Sequence, residues 1–153
     1  MSLEDDIRII SGVSLFEDLS AEQLRLLAFG AERITVARGR ELYREGQNAE
    51  CGFIVVSGEI DLFRETPRGR LVIRQVGPGM ILGELALITE TKRLTGACAA
   101  VETQVIRVNR SLFRRMLEEY PETAAALHQQ LSVRLCNLLD QIGDLEDRFR
   151  EDD

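Results

Sequence analysis

The chain has 153 residues, 44% of them hydrophobic, and a formal net charge of −7. That length buries a core within one domain, and the acidic excess argues against a nucleic acid or an anionic membrane as partner, since both need clustered Lys and Arg. No apolar run reaches the length of a membrane span and no signal-peptide pattern is present, so a cytoplasmic protein is expected.

Residues 1–30 form a helical segment. Ile7 and Ile10 stand at helical spacing and predict a short helix. Ser20 is a helix N-cap, Gln23 closes a capping box, and Leu19 and Leu24 suit the hydrophobic staple around it. That helix runs through Leu27 and stops near Gly30. From residue 31 to 108 the period is two. Ile34 and Val36 alternate with Arg33 and Thr35, and Leu42-Tyr43 makes a short strand. Residues 45–50 read as a turn. Gly52 to Val56 is an unbroken β-rich run, as expected of a strand buried on both faces. Ser57-Gly58 reverses the chain and makes residues 59–63 the hairpin partner of that strand. Thr66-Pro67-Arg68-Gly69 and Gly77-Pro78-Gly79 are turns around a strand that starts at Leu71. Residues 97–101 and 104–108 are two more. About eight short strands with glycine turns predict a sandwich or barrel.

Residues 83–96 stand apart. Gly83 permits a sharp turn and close backbone approach. Glu84 to Ile88 favour helix in a run too short to pack as one. The start of a helical turn offers free N–H groups to an anion. Arg93 can fold back over it with a guanidinium suited to a phosphate, and Glu84 can accept from a sugar hydroxyl. A plain turn closed by a Glu84–Arg93 ion pair is the alternative reading.

Residues 109–153 return to the helical period. Leu112, Phe113, Met116 and Leu117 predict a helix to Tyr120, and Pro121 opens another. In that last helix Leu131, Leu135, Leu138, Ile142, Leu145 and Phe149 step by four and three, the a/d seam of a coiled coil. At roughly 45 Å it would overhang a domain roughly 30 Å across. A parallel homodimer is expected, with a helix folded back on its own barrel as the alternative. Gly143 weakens the helix.

Three separated cysteines, Cys51, Cys98 and Cys136, read as reduced and structural. The single histidine, His128, leaves no nucleophile–base set and no metal constellation. Neither an enzyme nor a cofactor is expected.

Gly83-Glu84-Leu85-Ala86 and Arg93-Leu94-Thr95 resemble the phosphate-binding cassette of cyclic nucleotide-binding domains. Tyr43-x-Glu45-Gly46, Val55-Val56-Ser57-Gly58-Glu59 and Leu15-Phe16-x-x-Leu19-Ser20 match the same family. The resemblance implies a mainly β fold with α: a double-stranded β-roll of jelly-roll type, flanked by N-terminal helices and a long C-terminal helix. It implies a cyclic nucleotide, cAMP or cGMP, held in cassette 83–96, with Arg93 on the phosphate and Glu84 on the ribose. Leu62 and Leu82 would approach base or sugar from the sheet, or serve as core leucines. Arg134 falls in register with a base-stacking arginine of bacterial channel-type domains, or flanks the coiled coil at a g position. The last helix would cap the nucleotide and dimerise, as in catabolite-activator-type regulators. Two positions depart from the family pattern: Leu94 replaces a small residue, and Lys92 replaces a proline. No helix-turn-helix follows the last helix, which implies a sensor and dimerisation module whose effector, for a fragment, lies outside it. A degenerate module with the same fold and no nucleotide is the alternative that Leu94 supports.

Overall fold

The computed structural model describes residues 3–13, 16, 19–87 and 89–119. Helix α1 spans Leu3–Ser11, with Glu4, Asp5 and Asp6 in its first turn, where carboxylates suit the positive end of the helix dipole. Helix α2 spans Ala21–Gly30. Its capping box is formed: the Ser20 hydroxyl accepts from the Gln23 N–H at 3.3 Å, and the Gln23 side chain accepts from the Ser20 N–H at 2.8 Å. Leu19 and Leu24 are both buried. Gly30 ends the helix for a reason other than a left-handed cap. Extended Ala31 is the cap and its N–H returns to Leu27 O. A Cβ on Gly30 would lie 2.6 Å from Leu112 Cδ1, so this glycine makes room for the helix that packs there.

Ten strands follow among the described residues: β1 Glu32–Val36, β2 Glu41–Tyr43, β3 Asn48–Ala49, β4 Cys51–Ser57, β5 Ile60–Thr66, β6 Gly69–Val76, β7 Ile81–Leu82, β8 Thr91–Lys92, β9 Gly96–Ala99 and β10 Thr103–Asn109. A one-turn 3-10 helix, Glu84–Leu87, sits between β7 and β8, and α3 Arg110–Glu119 closes the described chain. Two four-stranded antiparallel sheets, ordered β1-β10-β4-β7 and β2-β9-β5-β6, face one another, and β3 and β8 form a separate ribbon. This is the expected mainly β roll with flanking helices. The long helix expected after Pro121 lies outside the described residues.

β4 is buried on both faces because it separates two cores. Phe53 and Val55 point into the roll with Val36, Ile60, Val76, Leu82, Ala97 and Val105. Ile54 points the other way, where Ile106 and Val108 join Ile10, Phe16, Leu27, Leu87, Phe113 and Met116 under the helices. A strand with apolar neighbours on both faces loses its polar alternation, hence the unbroken run Gly52–Val56.

Two expectations are corrected. Residues 59–63 are not the hairpin partner of β4. β4 pairs with β10 and β7, whereas β5 pairs with β6 and β9 in the other sheet. The chain changes sheet at Gly58, whose φ is +95° and whose Cα is closely packed on Thr103: a Cβ would lie 2.4 Å from its hydroxyl. That hydroxyl accepts from the Glu59 N–H at 3.2 Å and fixes the crossing. Residues 45–50 are likewise more than a turn, because Asn48 and Ala49 pair with Lys92 and Thr91. Two-residue strands carry no periodicity to read.

Candidate functional site

The β3–β8 ribbon delivers Arg93 to its place. The Arg93 N–H donates to Gln47 O at 2.7 Å, and its own carbonyl accepts from the Gly46 N–H at 2.9 Å. These bonds fold the far end of the cassette back across its beginning. The side chain is then buried, at 7% exposure. Its guanidinium carbon lies 4.2 Å from the centroid of the Tyr43 ring and 5.6 Å from that of Phe53, two rings that stack at 6.1 Å. Aromatic faces attract the cation and hold its plane. Nη2 donates to Cys51 O at 2.8 Å. Nη1 is buried and has no hydrogen-bond partner.

Gly83 lies against that nitrogen. Its φ is +70°, and a Cβ there would fall 2.1 Å from Arg93 Nη1 and 3.3 Å from Cys51 O. Glycine is therefore required by conformation and by space. Glu84 opens the 3-10 turn and is half-buried, as is Leu85, whereas Ala86 is fully buried. Leu94 is half-buried at the bend after Arg93, and Thr95 is buried, with its side chain on the Tyr43 hydroxyl. The structure thus gathers Gly83, Arg93, Tyr43 and Cys51 in one place, with Glu84 beginning the adjoining turn and Thr95 at the Tyr43 hydroxyl.

Leu82 is buried in the roll core and pairs with Phe53. Leu62, half-buried, stands opposite Ala97 on β9 and packs on that same core. Leu82 thus lies in the core and Leu62 at its edge. Arg134 and the seam Leu131, Leu135, Leu138, Ile142, Leu145 and Phe149 lie outside the described residues.

Three contributors were not singled out from sequence. Tyr43 and Phe53 form the floor under the guanidinium, and Cys51 gives its carbonyl as an acceptor. Tyr43 belongs to a segment that carries the family's wording, and that was the available signal. Its contact with Arg93 comes from folding. Burial keeps the Tyr43 phenol and the Cys51 thiol un-ionised. Burial pushes the Tyr43 phenol up to about 12 against the opposing pull of Arg93; part of the ring reaches solvent, but the packed surroundings dominate. Burial also raises the Cys51 thiol, again opposed by Arg93. Arg93 therefore carries a positive charge with no anion supplied by either neighbour. Among the described residues no cluster of His, Cys, Asp and Glu could hold a metal ion.

The family model for the cyclic nucleotide-binding domain matches residues 33–120, which takes in the whole cassette and the floor beneath it. The chain belongs to the cyclic nucleotide-binding domain family. A solved cyclic nucleotide-binding-like protein from Brucella abortus is 64% identical, with a TM-score of 0.70, over 74% of this chain and 98% of that one. The regulatory domain of Toxoplasma gondii PKA, solved in co-crystal with cAMP, is 27% identical, with a TM-score of 0.70, over 74% of this chain and 44% of that one. A lysophospholipase of Neurospora crassa is 29% identical over 73% of this chain, but the match covers 8% of that protein. The likeness to the lysophospholipase is thus confined to a small part of a far longer chain.

Proposed function

We propose that this domain binds a cyclic nucleotide, cAMP or cGMP, as a regulatory sensor without catalytic activity of its own. The observation that carries the reading is Arg93 Nη1, a buried cationic donor with no partner, lying against a glycine that can have no side chain. An unsatisfied buried donor is costly, more so when charged, and a phosphate oxygen meets both its hydrogen-bonding and its charge requirement. Nη2 can keep Cys51 O, so the guanidinium need not leave its aromatic floor. Glu84 would take a ribose hydroxyl. Thr95, next to Tyr43, and Leu85 and Ala86 in the 3-10 turn would shape the pocket around Gly83. Arg134 would stack on the base, and the final helix would close over it. Preferential binding to the closed arrangement would shift its population and signal to a partner. The seam from Leu131 to Phe149 would make the active form a homodimer. No helix among the described residues is long and apolar enough to cross a membrane, which is in keeping with a cytoplasmic sensor.

Thermal unfolding with each nucleotide tests this. A ligand specific to the folded state stabilises it by about 2.7 kcal/mol at a hundredfold excess over its dissociation constant. The melting temperature is expected to rise with cAMP or cGMP and to stay flat in Arg93→Ala, itself folded. One observation favours a second reading: Leu94, a bulky side chain with no hydrogen-bond donor, stands half-buried next to Arg93. Absence of stabilisation by both nucleotides in the unaltered protein would support a purely structural dimerisation module.

A further inference from the structure

We infer that Arg110 is a positioning residue that ties the cassette to α3, so that occupancy beside Arg93 is transmitted to that helix. The transmission rests on the proposed nucleotide binding, whereas the tie itself does not. Three successive carbonyls at the β3–β4 corner serve two arginines. Ala49 O accepts from Arg110 Nη1 at 3.2 Å, Glu50 O accepts from the Arg110 N–H at 2.9 Å, and Cys51 O accepts from Arg93 Nη2 at 2.8 Å. Arg110 Nη1 also reaches across to Thr89 O at 2.8 Å and, more weakly, Ala86 O at 3.5 Å. One guanidinium therefore joins the corner that holds Arg93 to the trailing end of the 3-10 turn.

That turn has little to hold it by itself. It is four residues long, too short to gain from helical cooperativity. Of its own bonds, Ala86 N–H to Gly83 O is 3.1 Å and Thr89 N–H to Leu85 O is 3.2 Å. Its last carbonyls are the groups a helix end leaves without intrahelical partners. A planar guanidinium with several donors bridges such carbonyls, whereas a lysine ammonium offers a compact, strongly hydrated charge. Arg110 is the first residue of α3. Leu87, at the end of the turn, is fully buried in the same core as Phe113 and Met116 of that helix. A polar strut and an apolar contact thus fasten the turn to α3, and the Gly83 end of the same segment lies on Arg93. Displacement of the turn by a bound phosphate has a direct route into the helix that leads towards the C-terminal region.

The test compares the full chain with Arg110→Met, which keeps most of the stem, and Arg110→Lys, which keeps the charge. Without nucleotide, amide hydrogen exchange at Ala86 and Thr89 is expected to accelerate in Arg110→Met by about tenfold, the scale of one lost hydrogen bond to a charged group. Amides in the centres of β4 and β10 should keep their rates, and Arg110→Lys should fall between the two. Equal exchange at Ala86 and Thr89 in all three proteins would overturn the tie, with no nucleotide needed to decide it. With cAMP or cGMP, the unaltered protein should change its protection over Arg114–Leu117, and Arg110→Met should bind more weakly and lose that change. A merely stabilising arginine would lower the melting temperature and leave the nucleotide-dependent change in α3 intact, and that outcome would overturn the transmission. Failure of the unaltered protein to bind either nucleotide would overturn both the transmission and the proposed function, while the nucleotide-free exchange rates still decide the tie.

Discussion

Gly83 and Arg93 constrain one another. The backbone of Gly83 is left-handed at +70° and a Cβ would lie 2.1 Å from Arg93 Nη1. Gly83→Ala is therefore expected to cost about 1–2 kcal/mol from backbone conformation alone, and more as the guanidinium is pushed off Tyr43. Urea unfolding would measure the loss, and nucleotide titration would show affinity falling beyond what destabilisation explains. Tyr43 makes a separate prediction. Burial raises its phenol from 10.0 to about 12, so the fold favours the neutral form. That contribution is complete below about pH 10 and is lost as pH rises towards 12. Tyr43→Phe has no phenol to ionise, so its urea midpoint should fall less than that of the unaltered protein over that window.

At the level of elements, the helix start was legible because a capping box is a local pattern. Ser20→Ala is expected to lower stability by about 1 kcal/mol, measured as a drop in the denaturation midpoint. The strands from Glu32 to Val36 and Cys51 to Ser57 were legible from their residues, but their partners were not. Ser57-Gly58 between two β-rich runs is the same text whether the chain folds back as a hairpin or crosses to the opposite sheet. Here it crosses, and the crossing is unforgiving: besides the hydroxyl of Thr103, a Cβ on Gly58 would lie 2.7 Å from Glu102 O and 2.8 Å from Thr103 Cα. Backbone cannot rotate aside as a side chain can, so Gly58→Ala should exceed the about 1–2 kcal/mol of the left-handed conformation itself. Gly30 contrasts with it. Its obstruction is the flexible end of Leu112, and Gly30→Ala should be milder in the same assay.

Across the described residues, the two four-stranded sheets enclose one core and helices α1, α2 and α3 cover a second, with β4 between them. The proposed site lies where the cassette returns over β3 and β4, so the Arg93 cradle and the helix packing share a strand. The proposed dimer rests on the a/d seam from Leu131 to Phe149. Leu138→Asp places a charge in the a/d seam, where apolar side chains associate, and should convert a dimer to a monomer in sedimentation equilibrium. A dimer that persists would leave the seam without that role and favour a helix folded back on its own roll.

The sequence by itself determined what depends on neighbours along the chain: the capping box at Ser20, the strand periods, the turn at Thr66–Gly69, and a cassette pattern from Gly83 to Thr95 specific enough to carry the family. Tertiary structure alone decided which strands pair, that Asn48 and Ala49 form a ribbon with Thr91 and Lys92, and that Arg93 rests on Tyr43 with Nη1 unsatisfied. It also decided that Arg110 reaches the carbonyls of Ala49 and Thr89. The physical reason is the range of the forces. Propensity, capping and turn geometry act over a few residues and leave their mark in local sequence. A cation on an aromatic floor and an arginine across three backbone segments join positions 21 to 61 residues apart, and no local pattern records which distant group will be the partner.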